Sequence, residues 1–144
     1  MPLHTFDDRN ITWKKLKDLE HLWVSVLDVD EKNRILHVLY KFAANQQIIL
    51  HRHKTLNKLW VIQGEHRLYH LNGALKEIRA VGSYTITPAS DIPHREGGGL
   101  DQDVIILFTM YGDSDPLYEG LDDDLNLIAT LTFQDYVSLY DAPQ

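Results

Sequence analysis

Apolar residues fall in short runs rich in β-branched and aromatic side chains, separated at fairly regular intervals by Asp, Asn, Gly and Pro. That rhythm predicts strands of an all-β sandwich or barrel. Residues 22–29 and 35–42 are dense in apolar positions, and Asp30, Glu31, Lys32 and Asn33 between them supply turn chemistry, so the two segments should pair as an antiparallel hairpin. Further strands are expected over 48–53, 59–62, 66–71, 75–81 and 84–87. Asn45 suits a left-handed turn, and Asn72-Gly73 is a hairpin signal. The run 104–111 is apolar at almost every position, which implies burial on both faces. Residues 113–124 are acidic and turn-rich and read as a solvated loop. Residues 125–131 read as a closing strand, and Thr132 with Asp135 three positions on forms a capping-box pattern for a short helix to Tyr140. No repeat or linker interrupts the chain, so one domain over 1–144 is expected.

The chain has 144 residues, 44% hydrophobic and 24% charged, a balance that suits a globular core without staples. Fourteen basic and twenty-one acidic residues leave a formal charge of −7 with no basic stripe, which argues against nucleic acid as a partner. There are no cysteines, so thiolate metal sites, disulfides and cysteine nucleophiles are excluded and any metal must take nitrogen or oxygen ligands. The first ten residues carry no signal-peptide pattern, and no apolar run approaches the ~20 residues of a membrane span, so a cytoplasmic location without membrane association is expected.

The candidate chemistry lies in histidines. His51 and His53 are two apart in a strand and leave it from one face, so two imidazoles converge from one short segment. Neutral imidazole suits zinc, iron, nickel or copper. On its own the pair is equally consistent with a structural or surface role. The segment LHRHKTLNKLWVIQGE around it resembles the first signature of the cupin superfamily, with Gly64 at the closing glycine and Trp60 and Val61 at the usual aromatic and aliphatic positions. GSYTITPASDIPHREGG resembles the second signature, with Gly82 five residues before Pro88. The resemblance implies a double-stranded β-helix, or jelly-roll barrel, with its motif-bearing core at about 35–112 and a short C-terminal helix. It makes His94 the third ligand beside His51 and His53, with one divalent metal ion per chain.

This chain departs from the signatures at four places: Asn45 replaces the leading glycine, Asn57 or Lys58 the glutamate, Ser90-Asp91 the single glycine of the second signature, and Gly98 its asparagine. Three neutral imidazoles without the usual carboxylate would leave a divalent ion its full charge, which favours an anionic, chelating small-molecule substrate. The three-histidine pattern is similar to the group holding the β-diketone-cleaving dioxygenases, such as acetylacetone dioxygenase, and the cupin domain of ChrR-type anti-sigma factors. It implies Fe(II), with Zn, Ni or Mn as alternatives, and dioxygenase chemistry on an enolisable or hydroxylated organic anion. A metal- and ligand-binding sensor, or a metal-dependent isomerase or lyase, is the alternative. The resemblance assigns no catalytic residue.

Other positions are weighed as accessories. Asn57 reads as a turn residue, a weak ligand or a water-orienting group; Asp91 and Glu96 as acceptors for an imidazole N–H or as loop charges. Leu59, Val61, Tyr84, Phe108 and Met110 line a pocket or fill the core. His66 and His70 read as exposed at the barrel rim, and His4, His21 and His37 as surface or core residues. A homodimer is expected, with Trp13, Trp23, Phe133 and Tyr136 at or beside its contact.

Overall fold

The computed structural model describes residues 5–142. Eleven strands and one helix follow in order: β1 (Leu22–Asp30), β2 (Ile35–Phe42), β3 (Leu50–His53), β4 (Asn57–Gln63), β5 (His66–Tyr69), β6 (Leu75–Arg79), β7 (Tyr84–Thr87), β8 (Arg95–Gly97), β9 (Val104–Tyr111), β10 (Tyr118–Leu121), β11 (Leu127–Leu131) and α1 (Phe133–Asp141). They form an antiparallel jelly roll. One sheet has the order β1-β2-β9-β4-β7; facing it are β11-β10-β3 and β6-β5-β8. An isolated antiparallel bridge from His51 to His94 joins those two smaller sheets. No helix among the described residues is long and apolar enough to cross a membrane.

Period-two alternation builds the core. Leu36, Val38, Tyr40 and Phe42 of β2 lie directly opposite Met110, Phe108, Ile106 and Val104 of β9. All eight are buried, and burying a side chain of this kind contributes about 1.5–3 kcal/mol. Only the first three residues of β9 are buried on both faces. Leu107, Thr109 and Tyr111 are half-exposed, so its outer side is less covered than the apolar run suggests. On β4 the same alternation brings Asn57 opposite Met110 and Leu59 opposite Phe108, which turns a polar amide into the core.

The expected turns form. The Asn33 N–H donates to Asp30 Oδ1 at 3.0 Å, and Asn45 takes φ 56°. Thr132 caps α1 in a capping box with Asp135. The loop expected at 113–124 is in part a strand: β10 pairs with both β11 and β3. The helix lies against β1. Phe133 and Tyr136 are buried in the chain's own core, with the Tyr136 and Tyr40 hydroxyls hydrogen-bonded, so neither is free for a dimer contact. Trp13 and Trp23 sandwich the Lys41 ammonium.

Candidate metal centre

Two strands, β3 and β8, and the bridge residue just before β8 deliver the site. On β3, His51 and His53 face inward while Arg52 faces out to Glu119 of β10, 3.2 Å away. The bend at Asp91 and Ile92 absorbs the extra residue before His94. The backbones of His94 and His51 exchange two 3.0 Å hydrogen bonds, which sets their side chains side by side. Two residues on, Glu96 leaves β8 on the same face. Its strand is pinned by the bond from Ile48 N–H to Glu96 O, 2.8 Å. Gly97 is required here because a Cβ would come within 2.0 Å of Gln46 O.

One nitrogen of each histidine and one Glu96 oxygen all lie within 4.8 Å of one another. Glu96 Oε2 is 2.7 Å from His51 Nε2, 3.4 Å from His94 Nε2 and 3.6 Å from His53 Nε2. The His51 Nδ1–H donates to the Ile49 carbonyl at 2.7 Å. In a neutral ring that leaves Nε2 as a bare lone pair facing a carboxylate oxygen. Two acceptors at 2.7 Å need a cation between them, either a proton or a metal ion. Both ring nitrogens of buried His53, and Nε2 of His94, have no hydrogen-bond partner. Burial lowers the His53 pKa to about 4 against the pull of Glu96, and lowers that of His94 as well. Both therefore offer neutral nitrogens near pH 7, the form that ligates metals. Burial alone would raise the Glu96 pKa, but the imidazoles around it hold the carboxyl well below its ordinary value. The donor set of three nitrogens and one oxygen fits a divalent transition metal.

No family model and no curated protein matches the sequence. The likeness is structural. An RmlC-like cupin protein from Ralstonia eutropha JMP134 matches over 97% of this chain and 85% of its own, with TM-score 0.74 and 19% identity. An acetylacetone dioxygenase from Acinetobacter johnsonii matches over 97% and 91%, with TM-score 0.70 and 11% identity. The chain has the cupin fold. A polyketide cyclase from Streptomyces resistomycificus shares it over 96% of this chain and 99% of its own, with TM-score 0.65 and 15% identity.

The three expected histidines meet in this cupin barrel, but the carboxylate-free set does not form. Glu96, 2% exposed, completes the group from the second signature instead of the first. A divalent ion held by all four would keep a single net positive charge. Asn57 is neither a turn residue nor a ligand. Its Nδ2–H donates to Thr55 O and its Oδ1 accepts from the Tyr118 hydroxyl at 2.7 Å. Sequence reading missed Tyr118, whose ring stands edge-on to His53 with centroids 4.8 Å apart. Met110 Sδ lies 3.2 Å from the Tyr118 hydroxyl, so Met110 packs against Tyr118 from the core. Phe108 borders a cavity of about 40 Å³ behind His51 and Glu96, and Val61 is plain core. Tyr84, 53% exposed, packs on Trp60 outside the barrel and touches no part of the site.

His66 is wholly buried, and its Nε2 is 2.7 Å from Glu96 Oε1, contrary to a place at the rim. His70 is exposed as expected. Asp91 is a loop charge paired with Lys54 at 2.8 Å. His37 is half-buried beside Thr109, His21 is half-buried, and His4 lies outside the described residues. On the open side, His53, His94 and Glu96 form the floor of a cleft of about 620 Å³ whose walls include Leu59, Leu68, Lys76 and Arg79.

Proposed function

We propose that this cupin is a metal-dependent dioxygenase that cleaves a small, enolisable organic anion of the β-diketone class, with Fe(II) as the favoured ion. The observation that carries the reading is the convergence of three imidazole nitrogens and one carboxylate oxygen, largely without partners in the protein, on the floor of an open cleft. His51, His53, His94 and Glu96 would hold the ion. Once bound, it supplies Lewis-acid polarisation of a chelated enolate and a place for dioxygen to react. The chain's own residues do the rest. Glu96 contributes one negative charge, so the loaded centre still attracts an anion, and the Lys76 side chain on the cleft wall adds to that attraction, whereas Arg79 is paired with Glu77 at 2.6 Å. Tyr118 holds the His53 ring in place, and Leu59 and Leu68 cover the apolar part of a bound molecule. The fold shared with an acetylacetone dioxygenase supports the choice of chemistry. A homodimer in the cytoplasm is part of the same reading, tested by sedimentation.

The decisive experiment is metal analysis followed by oxygen uptake over a panel of simple β-diketonates, phenols and hydroxy acids. One ion per chain, and oxygen consumed in step with substrate, is the expected result. A protein that binds no ion would overturn the metal centre. Conversion without oxygen would move the reading to a lyase, isomerase or cyclase, and binding without turnover would move it to a sensor.

A further inference from the structure

Glu96 uses its two oxygens differently. Oε2 faces the three ligand histidines, whereas Oε1 faces His66 alone, at 2.7 Å. His66 stands outside the metal-ligand group and is 0% exposed, with the Phe42 ring 6.0 Å from its own. Its Nδ1 has no partner. A carboxylate oxygen accepts and never donates, so Nε2 carries the proton, and the neutral tautomer leaves Nδ1 as a lone pair, cheaper to bury than an orphaned N–H. Both groups come from neighbouring strands. β5 and β8 pair with Leu68 opposite Glu96, and His66 points inward two residues before Leu68.

We infer that His66 is a positioning residue: its Nε2–H holds Glu96 Oε1, so that the carboxylate presents Oε2 alone to the metal and leaves coordination positions open for a chelating substrate. The inference rests on the metal centre proposed above. A free carboxylate at the end of three rotatable bonds could turn away or offer both oxygens. One charge-assisted hydrogen bond in a buried site removes both freedoms. Groups that orient a metal ligand in this way typically change metal affinity by about 10–100-fold when lost.

The test compares His66→Leu with His66→Gln, whose amide N–H can still reach Glu96. Co(II) affinity is measured by competition with a chromophoric chelator, and the Co(II) absorption spectrum is recorded at saturation. His66→Leu should bind Co(II) about 10–100-fold more weakly and with an altered spectrum, while His66→Gln should recover most of the affinity and the unaltered protein's spectrum. If His66→Leu does not fold, His66→Asn, too short to donate to Glu96, takes its place. Equal affinity and spectrum in the loss variant, or equal loss in His66→Gln, would overturn the positioning role while leaving the metal centre standing. No Co(II) binding by the unaltered protein would overturn both.

Discussion

The barrel buries two polar clusters close to one another, and they are built on opposite rules. Around α1 the Tyr40 and Tyr136 hydroxyls satisfy each other, and Thr132 and Asp135 close the helix end reciprocally. Around β3 and β8, both nitrogens of His53, Nε2 of His94 and Nδ1 of His66 lack partners. A buried polar group left unpaired costs about 1–3 kcal/mol, so this cluster takes a sizeable share of the roughly 5–15 kcal/mol by which a domain is stable. Groups paired within the chain hold the fold together. Buried nitrogens without a partner in the chain weaken it, and those of His53 and His94 belong to the candidate metal group.

The largest expected effect comes from the paired cluster. Tyr136→Ala removes a fully buried ring and leaves Tyr40 Oη without its partner, and should cost about 3–5 kcal/mol in denaturant unfolding. Metal affinity of the folded variant should stay within about threefold, because the Tyr136 hydroxyl bonds to Tyr40 and not to a ligand side chain, although Tyr40 borders the same small cavity as His51 and Glu96. A matching loss of metal binding would show the two clusters to be one. Gly97→Ala should cost about 1–3 kcal/mol or more and weaken metal binding as well, since a Cβ at 2.0 Å from Gln46 O must displace β8 and Glu96 with it. Unchanged metal affinity in that variant would mean that β8 tolerates the shift.

The unpaired cluster should respond in the opposite sense. His53→Leu should abolish tight metal binding and yet raise the stability of the metal-free protein by ~1 kcal/mol, because two unsatisfied buried nitrogens give way to an apolar side chain. Chemical unfolding with a chelator present measures the second effect. A destabilised metal-free variant would mean that the ring packs more than it costs.

The same contrast decides what was legible in the chain. His51 and His53 were readable because strand periodicity alone puts them on one face. His94 was readable through its motif, since the bend at Asp91 and Ile92 absorbs the added residue without changing the face. Glu96 reads as an acceptor for an imidazole N–H or as a loop charge, and not as a ligand, because β8 is only three residues long and runs into three glycines, and its register comes from close backbone contacts. Tyr118 was hidden by acidic and turn residues on both sides of β10, a strand formed only by pairing with distant partners. The spacing of His66 and His70 suggested a shared exposed face, but β5 ends at Tyr69, so only His66 remains inside. Strands with their own alternation could be read. Short strands held by neighbours could not, and they carry the carboxylate and the tyrosine of the site.

The smallest expected effect returns to the paired cluster and concerns alkaline pH. Burial raises the Tyr40 pKa well above 10.0, with the charges of Tyr136 and Tyr118 adding to the effect. Burial likewise raises that of Tyr136, with Asp135 adding and the Tyr40 hydrogen bond partly opposing. The unfolded chain releases these protons near 10.0, whereas the folded chain keeps them. The stability from both groups is therefore fully present below pH 10 and is lost as the pH climbs from there toward the raised folded values. At about pH 10.5 the loss is no more than ~0.8 kcal/mol for each tyrosine. Tyr136→Phe removes one of the two titrating groups and the hydroxyl that Tyr40 faces. Its stability at neutral pH should fall by about 1 kcal/mol for the lost hydrogen bond, and its decline between pH 10 and 10.5 should be shallower than that of the unaltered protein. Denaturant unfolding at several alkaline pH values, with phenolate absorbance followed in parallel, makes the measurement. An identical alkaline decline in the variant would show that Tyr136 is ionised while still folded, and that the paired cluster is wetter than its burial implies.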